Sequence, residues 1–182
     1  MTGVFVLLHE ALAVLSHLVR SASPILHRYG VSALLLVLLA ESAGVVFAPG
    51  EAMIVAAGFL VAKGVVPLLP ALVCATLGAT VGGYLAYGLG RRFGHAALLR
   101  YGRYVGIRPS LVARGHAFFE RFGPVVVFFG RFVVPLRQLQ GYIAGASEMA
   151  WWPFAIWSAV GAVAWVLAWG GAAFFLSGLI PA

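Results

Sequence analysis

Residues 125–145 have the sequence VVVFFGRFVVPLRQLQGYIAG, and this stretch decides how the chain folds. It consists of two short apolar arms around a middle that holds Gly130, Arg131, Pro135 and Arg137. Glycine and proline interrupt a helix, and each arm is too short to cross roughly 30 Å of hydrocarbon. Broken backbone persists at membrane depth only where protein or a wet cavity covers it. The stretch therefore predicts a re-entrant helical hairpin.

The composition of the whole chain supports a membrane location. Of 182 residues, 63% are hydrophobic and 9% are charged, whereas soluble domains average about 25% charged residues. A soluble fold of this size could not bury so much apolar surface, so lipid must be part of the solvent. The net charge of +7 favours contact with anionic lipid headgroups, and no basic module typical of nucleic-acid binding is present.

A similar interruption lies earlier in the chain. An apolar run passes Glu41 and reaches the triplet Pro49, Gly50 and Glu51. The following arm, residues 52–62, covers only about 16 Å as a helix, which is too short to cross the bilayer. We therefore predict a second re-entrant hairpin here.

Two apolar stretches are long enough to cross the membrane, because a spanning helix needs about 20 residues. They are residues 68–90 and residues 151–177. The first contains Gly78 and Gly82 at the GxxxG spacing, which predicts close packing against another helix.

These elements predict an all-α fold of two inverted repeats, each a re-entrant hairpin followed by a transmembrane helix, with N-terminal and central amphipathic helices. In chain order the single membrane domain of residues 1–182 comprises an N-terminal helix (1–28), hairpin 1 (30–63), a spanning helix (68–90), a basic segment (91–121), hairpin 2 (122–148) and a second spanning helix (151–177). Each repeat makes a net single crossing, so the second must enter from the opposite face. Sites in such folds lie where the broken segments meet near the midplane.

The two segments outside hairpins and spans have helical spacing of apolar residues. We expect the N-terminal helix to end before Ser23 and Pro24, and the first twenty residues lack the basic region of a cleavable signal peptide. The segment of residues 91–121 holds seven arginines and one acid, which predicts a cytoplasmic position. An amphipathic helix is predicted to start there at about Pro109.

Four charged residues lie inside the predicted hairpins: Glu41, Glu51, Arg131 and Arg137. Each costs on the order of 3 kcal/mol at the bilayer centre, so such residues face an interior or a wet cavity and usually form pairs. Two acids in one hairpin and two arginines in the other predict pairing between the repeats. A static pair that locks the hairpins together remains the alternative to a functional site.

The chemistry of these charges indicates an anion as ligand. Arginine binds phosphate through a fixed fork of donors, and the N-termini of broken helices also favour anions. A carboxylate in a partly dry site can carry a proton, so Glu41 and Glu51 could couple anion movement to a proton. There is no Asp and the histidines are scattered, so we expect no metal, no cofactor and no enzyme site.

At these residues the chain resembles the DedA family, also called the SNARE-associated or VTT-domain family. Three patches carry the resemblance: Glu41 through Pro49, Gly50 and Glu51 to Gly58; Gly78 through Gly82 and Tyr87 to Gly94; and Phe129 through Arg131, Pro135 and Arg137 to Gly145 and Met149. The chain departs from the usual family pattern at two of these positions: it has Gly83 where an acid is usual and Gly141 where a second proline is usual. Many members also have a further helix beyond the position of Ala182.

The resemblance implies two facing re-entrant hairpins and movement of lipids between leaflets, which in bacteria is linked to recycling of undecaprenyl phosphate and to the proton gradient. The family's essential acids match Glu41 and Glu51, and its essential arginines match Arg131 and Arg137. The hairpin-breaking residues are Pro49, Gly50, Gly130, Pro135 and Gly145.

The leading hypothesis is thus a multi-pass protein of the cell inner membrane that flips a phosphorylated lipid, with an anionic headgroup as substrate and protons as the coupling ion. A proton-dependent transporter of small ions and a structural membrane organiser are the alternatives. The sequence leaves a homo-oligomer open and predicts no nucleic-acid partner.

Overall fold

The computed structural model describes residues 2–45, 48–94 and 109–177, with side chains for residues 22–45, 48–94, 117–134 and 136–177. All regular structure in these ranges is helical. The helices are α1 (Thr2–Ser42), α2 (Gly50–Ala62), α3 (Leu68–Leu89), α4 (Pro109–Gly130), α5 (Val134–Ala146) and α6 (Trp151–Leu176), and a π-helical turn, Gly90–Gly94, follows α3 directly.

Helix α1 extends beyond the end that the sequence predicts for the N-terminal helix. Pro24 lies inside α1, which continues to Ser42 and changes direction at Gly30 instead. Gly30 has φ 61° and ψ −154°, a backbone conformation that essentially only glycine adopts. A proline removes one backbone hydrogen bond, whereas a helix end leaves four backbone groups unsatisfied. In apolar surroundings it therefore costs less for the helix to continue through Pro24 than to end there. The amphipathic face predicted for the first twenty residues lies outside the described side chains.

The break around Arg131 is shorter than the sequence predicts. Helix α4 begins at Pro109, as expected, and then runs to Gly130, so predicted hairpin 2, which starts at residue 122, begins inside a continuous helix. Only residues 131–133 separate α4 from α5. The backbone turns there through Arg131 N donating to Phe128 O at 3.4 Å, and α5 then starts with a proline in its first turn.

Within the described residues, three helices are long and apolar enough to cross a membrane: Ala22–Ser42, Leu68–Gly94 and Trp151–Leu176. The latter two coincide with the two predicted spans. The first includes the kink at Gly30, and its part after this kink, residues 31–42, overlaps the first arm of predicted hairpin 1. Helix α2, Gly50–Ala62, is shorter. The chain is thus a multi-pass helical membrane protein, and its re-entrant segments and inverted repeats stay predictions.

The chain divides into two compact units. Unit 1 comprises Met1–Leu38, Ala48–Gly78 and Val166–Ala182. Unit 2 comprises Leu39–Phe47 and Ala79–Trp165.

Small residues allow close helix contacts in unit 1. A Cβ atom on Gly58 of α2 would collide with the carbonyl oxygen of Gly170 in α6 and would approach the Ala173 Cβ to 3.0 Å. A Cβ on Gly78 of α3 would collide with the backbone of Leu35 in α1. The first glycine of the predicted GxxxG pair therefore packs as expected from its spacing.

Unit 2 has its own apolar core, formed by Tyr87, Phe119, Val127, Ala144, Met149 and Phe154. The Tyr87 and Phe154 rings stack with centroids 4.5 Å apart, and the Tyr87 hydroxyl donates to the Met149 carbonyl. Tyr142 on α5 donates to Ala43 O at 2.6 Å. The last of these contacts holds α5, which carries Arg137, against the end of α1.

Candidate functional site

Glu41 and Arg137 form a buried ion pair in unit 2. Arg137 Nη2 donates to Glu41 Oε1 at 2.6 Å, and the two side chains are 3% and 2% exposed. The Arg137 guanidinium also lies over the Trp165 ring, with its central carbon 4.6 Å from the ring centroid. This distance is within the range of an attractive cation–π contact. One acid of the first predicted hairpin thus pairs with one arginine of the second.

Arg131 is in a different situation, although it is equally buried. It is 1% exposed, and its Nη2 donates to Ala79 O at 3.0 Å and to Ser158 Oγ at 3.1 Å. Its Nε and Nη1 atoms are buried and have no hydrogen-bond partner among the described residues. Both contacts are to neutral groups. A buried guanidinium with unused donors is costly unless an anion or water completes its hydrogen bonds.

Two glycines make room for the Arg131 side chain. A Cβ on Gly83 would lie 3.1 Å from Arg131 Nη2 and 3.3 Å from Ser158 Oγ. A Cβ on Gly161 would lie 3.2 Å from Arg131 Cδ. The absence of side chains at both positions lets the guanidinium reach Ala79 and Ser158.

Glu51 belongs to unit 1 and is partly buried in the first turn of α2. A negative charge there is favourable because the N-terminus of a helix carries partial positive charge. The other three predicted site residues, Glu41, Arg131 and Arg137, lie in unit 2.

The residues predicted to break the hairpins lie close to helix ends. Pro49 immediately precedes α2, which begins at Gly50. Gly130 is the last residue of α4, and α5 has a proline, Pro135, at its start. Gly145 lies in the last turn of α5, where a Cβ would collide with the backbone of unit 2 at the end of α3.

Sequence reasoning missed three buried polar residues of unit 2: Thr80, Gln140 and Ser158, of which Ser158 contacts Arg131. All three are buried; Thr80 and Ser158 lie in helices without charged residues, and Gln140 lies in α5 with Arg137. They carry no charge, so a criterion based on intramembrane charge does not select them. A search for any polar side chain in an apolar run would have found them.

No group of three or more His, Cys, Asp and Glu residues that could hold a metal ion occurs among the described residues. Of the basic segment, residues 95–108 lie outside the described residues, so its predicted cytoplasmic position is not addressed by the structure.

A family model described as the VTT domain matches residues 48–174. The chain belongs to this family, as its resemblance to DedA proteins predicts. No solved structure matches it.

Relatives of the chain are membrane proteins. An uncharacterized membrane protein, YkoX of Bacillus subtilis, is 32% identical over 62% of this chain and 51% of its own length. Undecaprenyl phosphate transporter A of Bacillus subtilis is 26% identical over 64% of this chain and 59% of its own length. Protein DedA of Escherichia coli is 31% identical over 84% of this chain and 72% of its own length. The chain thus spans about half of YkoX and somewhat more of the other two.

Proposed function

We propose that the protein moves a lipid with an anionic, phosphorylated headgroup across the cytoplasmic membrane, and that Arg131 contacts the headgroup. The lipid tail would stay in the bilayer while the charged group passes through unit 2. A phosphorylated polyprenol and a phospholipid are both suitable substrates.

The state of Arg131 is the observation that carries this proposal. Its charge is buried, its two contacts are to the neutral Ala79 carbonyl and Ser158 hydroxyl, and its Nε and Nη1 donors lack partners among the described residues. An anionic oxygen would satisfy these donors and offset the desolvation of the charge. The Glu41 carboxylate does not serve this role by itself, because it is bonded to Arg137 at 2.6 Å.

The name of one relative supports the same substrate class. Undecaprenyl phosphate transporter A, a protein named for a phosphorylated lipid, is similar to this chain over 64% of the chain. At 26% identity this supports the class of lipid and leaves the particular lipid to experiment.

Proton coupling through Glu41 and Glu51 is part of the proposal. Protonation of Glu41 would remove the charge that holds Arg137 and so release this arginine for the headgroup. Glu51, in the first turn of α2, is the second candidate to carry a proton. A transporter of small ions that uses the same acids is the competing function.

A structural organiser is favoured by one specific observation. The Glu41–Arg137 pair is closed, buried and backed by Trp165, so it could simply hold α1 against α5. In that case reversing the pair by Glu41→Arg with Arg137→Glu would retain full cellular function.

Reconstitution separates these functions. The purified full chain is placed in phosphatidylcholine vesicles with tail-labelled lipids that differ only in their headgroups, and flipping and ion flux are measured in parallel with protein-free vesicles. Faster flipping of anionic lipids supports the proposal. Ion flux without flipping supports the small-ion transporter, and neither activity supports the organiser.

A further inference from the structure

Apart from Arg137, which is paired with Glu41, three buried residues of unit 2 have polar atoms without a hydrogen-bond partner among the described residues. They are Thr80 through Oγ1, Arg131 through Nε and Nη1, and Gln140 through Oε1. Their exposed fractions are 8%, 1% and 5%. Buried polar groups are satisfied in the large majority of cases, so three exceptions in one unit require an explanation.

Thr80 and Gln140 are each linked to Arg131 through one intervening residue, Thr80 through Ala79 and Gln140 through Gly130. Gln140 Oε1 lies 3.0 Å from the position that a Cβ on Gly130 would take, and Gly130 directly precedes Arg131. On α3, Thr80 follows Ala79, the residue whose carbonyl accepts from Arg131. The unused hydrogen-bonding groups are therefore contributed by α3, by α5 and by the break before α5.

The three groups differ in what they can bond. A guanidinium only donates, a carboxamide oxygen only accepts, and a threonine hydroxyl does both. A ligand with acceptor oxygens alone would satisfy Arg131 and leave Gln140 Oε1 without a donor. A ligand that also carries a hydroxyl would satisfy both.

We propose that Thr80, Arg131 and Gln140 form one polar site that binds an anionic group bearing a hydroxyl, with the hydroxyl donating to Gln140 Oε1. The site deepens the proposed function and rests on it for the role of Arg131. The hydroxyl can belong to a protonated phosphate monoester or to an alcohol in the headgroup of a phosphate diester.

Three tail-labelled lipids distinguish these two sources. Phosphatidate carries the hydroxyl on phosphorus, and phosphatidylglycerol carries it on the headgroup alcohol. Phosphatidylmethanol has neither hydroxyl, because its single phosphate proton is lost at neutral pH, and it is still anionic. Each is tested for flipping in phosphatidylcholine vesicles and for binding to the purified protein. We expect the wild-type protein to prefer phosphatidate or phosphatidylglycerol over phosphatidylmethanol by roughly 3- to 10-fold, the effect of one hydrogen bond.

Gln140→Met and Thr80→Val keep the side-chain shape and remove the polar group. Gln140→Met should abolish the preference and retain binding of phosphatidylmethanol, and Thr80→Val should weaken binding of the preferred lipid by a similar factor. Both should keep or raise thermal stability, because they remove an unsatisfied buried group. Gln138→Met, at another buried glutamine of α5, is the matched control and should keep the preference.

A wild-type protein without a preference, or a preference that survives in Gln140→Met, would overturn the proposal. If Gln140→Met does not fold, an unchanged preferred-lipid affinity in Thr80→Val overturns it. These results are distinct from failure of the proposed function, in which Arg131→Ala binds and flips all three lipids as well as the wild-type protein does.

Discussion

Arg137 donates to Glu41 at 2.6 Å inside unit 2, and this pair joins the last turn of α1 to the first turn of α5. Arg131 lies six residues earlier in the chain and contacts neutral groups instead. The two arginines therefore have different surroundings. Arg137 is held by a carboxylate, and Arg131 has Nε and Nη1 donors without a partner among the described residues.

The buried pair gives a prediction about stability. Glu41→Ala should destabilise the purified protein by about 3–5 kcal/mol, because it leaves the Arg137 charge buried and uncompensated. Replacing both residues with apolar ones, Glu41→Leu with Arg137→Met, should restore most of this loss. Thermal denaturation in detergent measures both. Equal destabilisation by the single and the double replacement would show that the pair is not the cause.

The acids give a prediction about pH dependence. Glu51→Gln and Glu41→Gln should each abolish the response of transport to an imposed pH gradient, because a glutamine cannot exchange a proton. Glu41→Gln should lose less stability than Glu41→Ala, because its amide oxygen can still accept from Arg137 although the counterion is gone. Transport rates in vesicles with and without the gradient test the loss of the response. Glu120→Gln, an exposed acid of α4, is the control and should keep the response. A gradient response that persists in both hairpin variants would remove the acids from proton coupling.

Gly83 gives a prediction about charge. Gly83→Asp places a carboxylate beside the Arg131 guanidinium, because the new Cβ lies 3.1 Å from Nη2. We expect Gly83→Asp to fold and to have a higher denaturation midpoint than Gly83→Asn, which has a similar size without the charge, because the buried guanidinium gains an internal partner. Thermal denaturation in detergent compares the two variants. Equal midpoints would show that the carboxylate does not pair with Arg131.

Close packing in unit 1 gives a prediction that does not depend on function. Gly58→Ala should cost about 1–3 kcal/mol, because its Cβ collides with the Gly170 carbonyl. Gly171→Ala should instead be neutral or stabilising by up to about 1 kcal/mol, since nothing lies within 4 Å and alanine favours helices. Both residues line an apolar cavity between α2, α3 and α6. Denaturation midpoints of the two variants compare them directly.

Much of the fold is predictable from the sequence because hydrocarbon imposes simple rules on length and charge. Apolar length predicts the two spans, residues 68–90 and 151–177. Helix-breaking residues predict the start of α4 at Pro109 and the end of α2 at Ala62. The expected helix end at Pro24 is wrong, because the helix continues through this proline. The backbone changes direction at Gly30 instead, at the start of predicted hairpin 1.

Less of the candidate site is predictable. The four charges stand out because buried charge is expensive in lipid. Which acid pairs with which arginine depends on the register of α1 against α5, and the sequence does not specify this register. Thr80, Gln140 and Ser158 have no charge to mark them, and only the geometry around Arg131 reveals their unused or shared hydrogen bonds.

One measurement tests the central claim most directly: the ratio of the flipping rates of tail-labelled phosphatidate and phosphatidylcholine. It is measured in vesicles that contain either the wild-type protein or Arg131→Ala. The account predicts a ratio well above one for the wild-type protein and a ratio close to one for the variant, with the fold of the variant confirmed by its denaturation midpoint. A folded Arg131→Ala protein that keeps the wild-type ratio would contradict the assignment of the headgroup to Arg131.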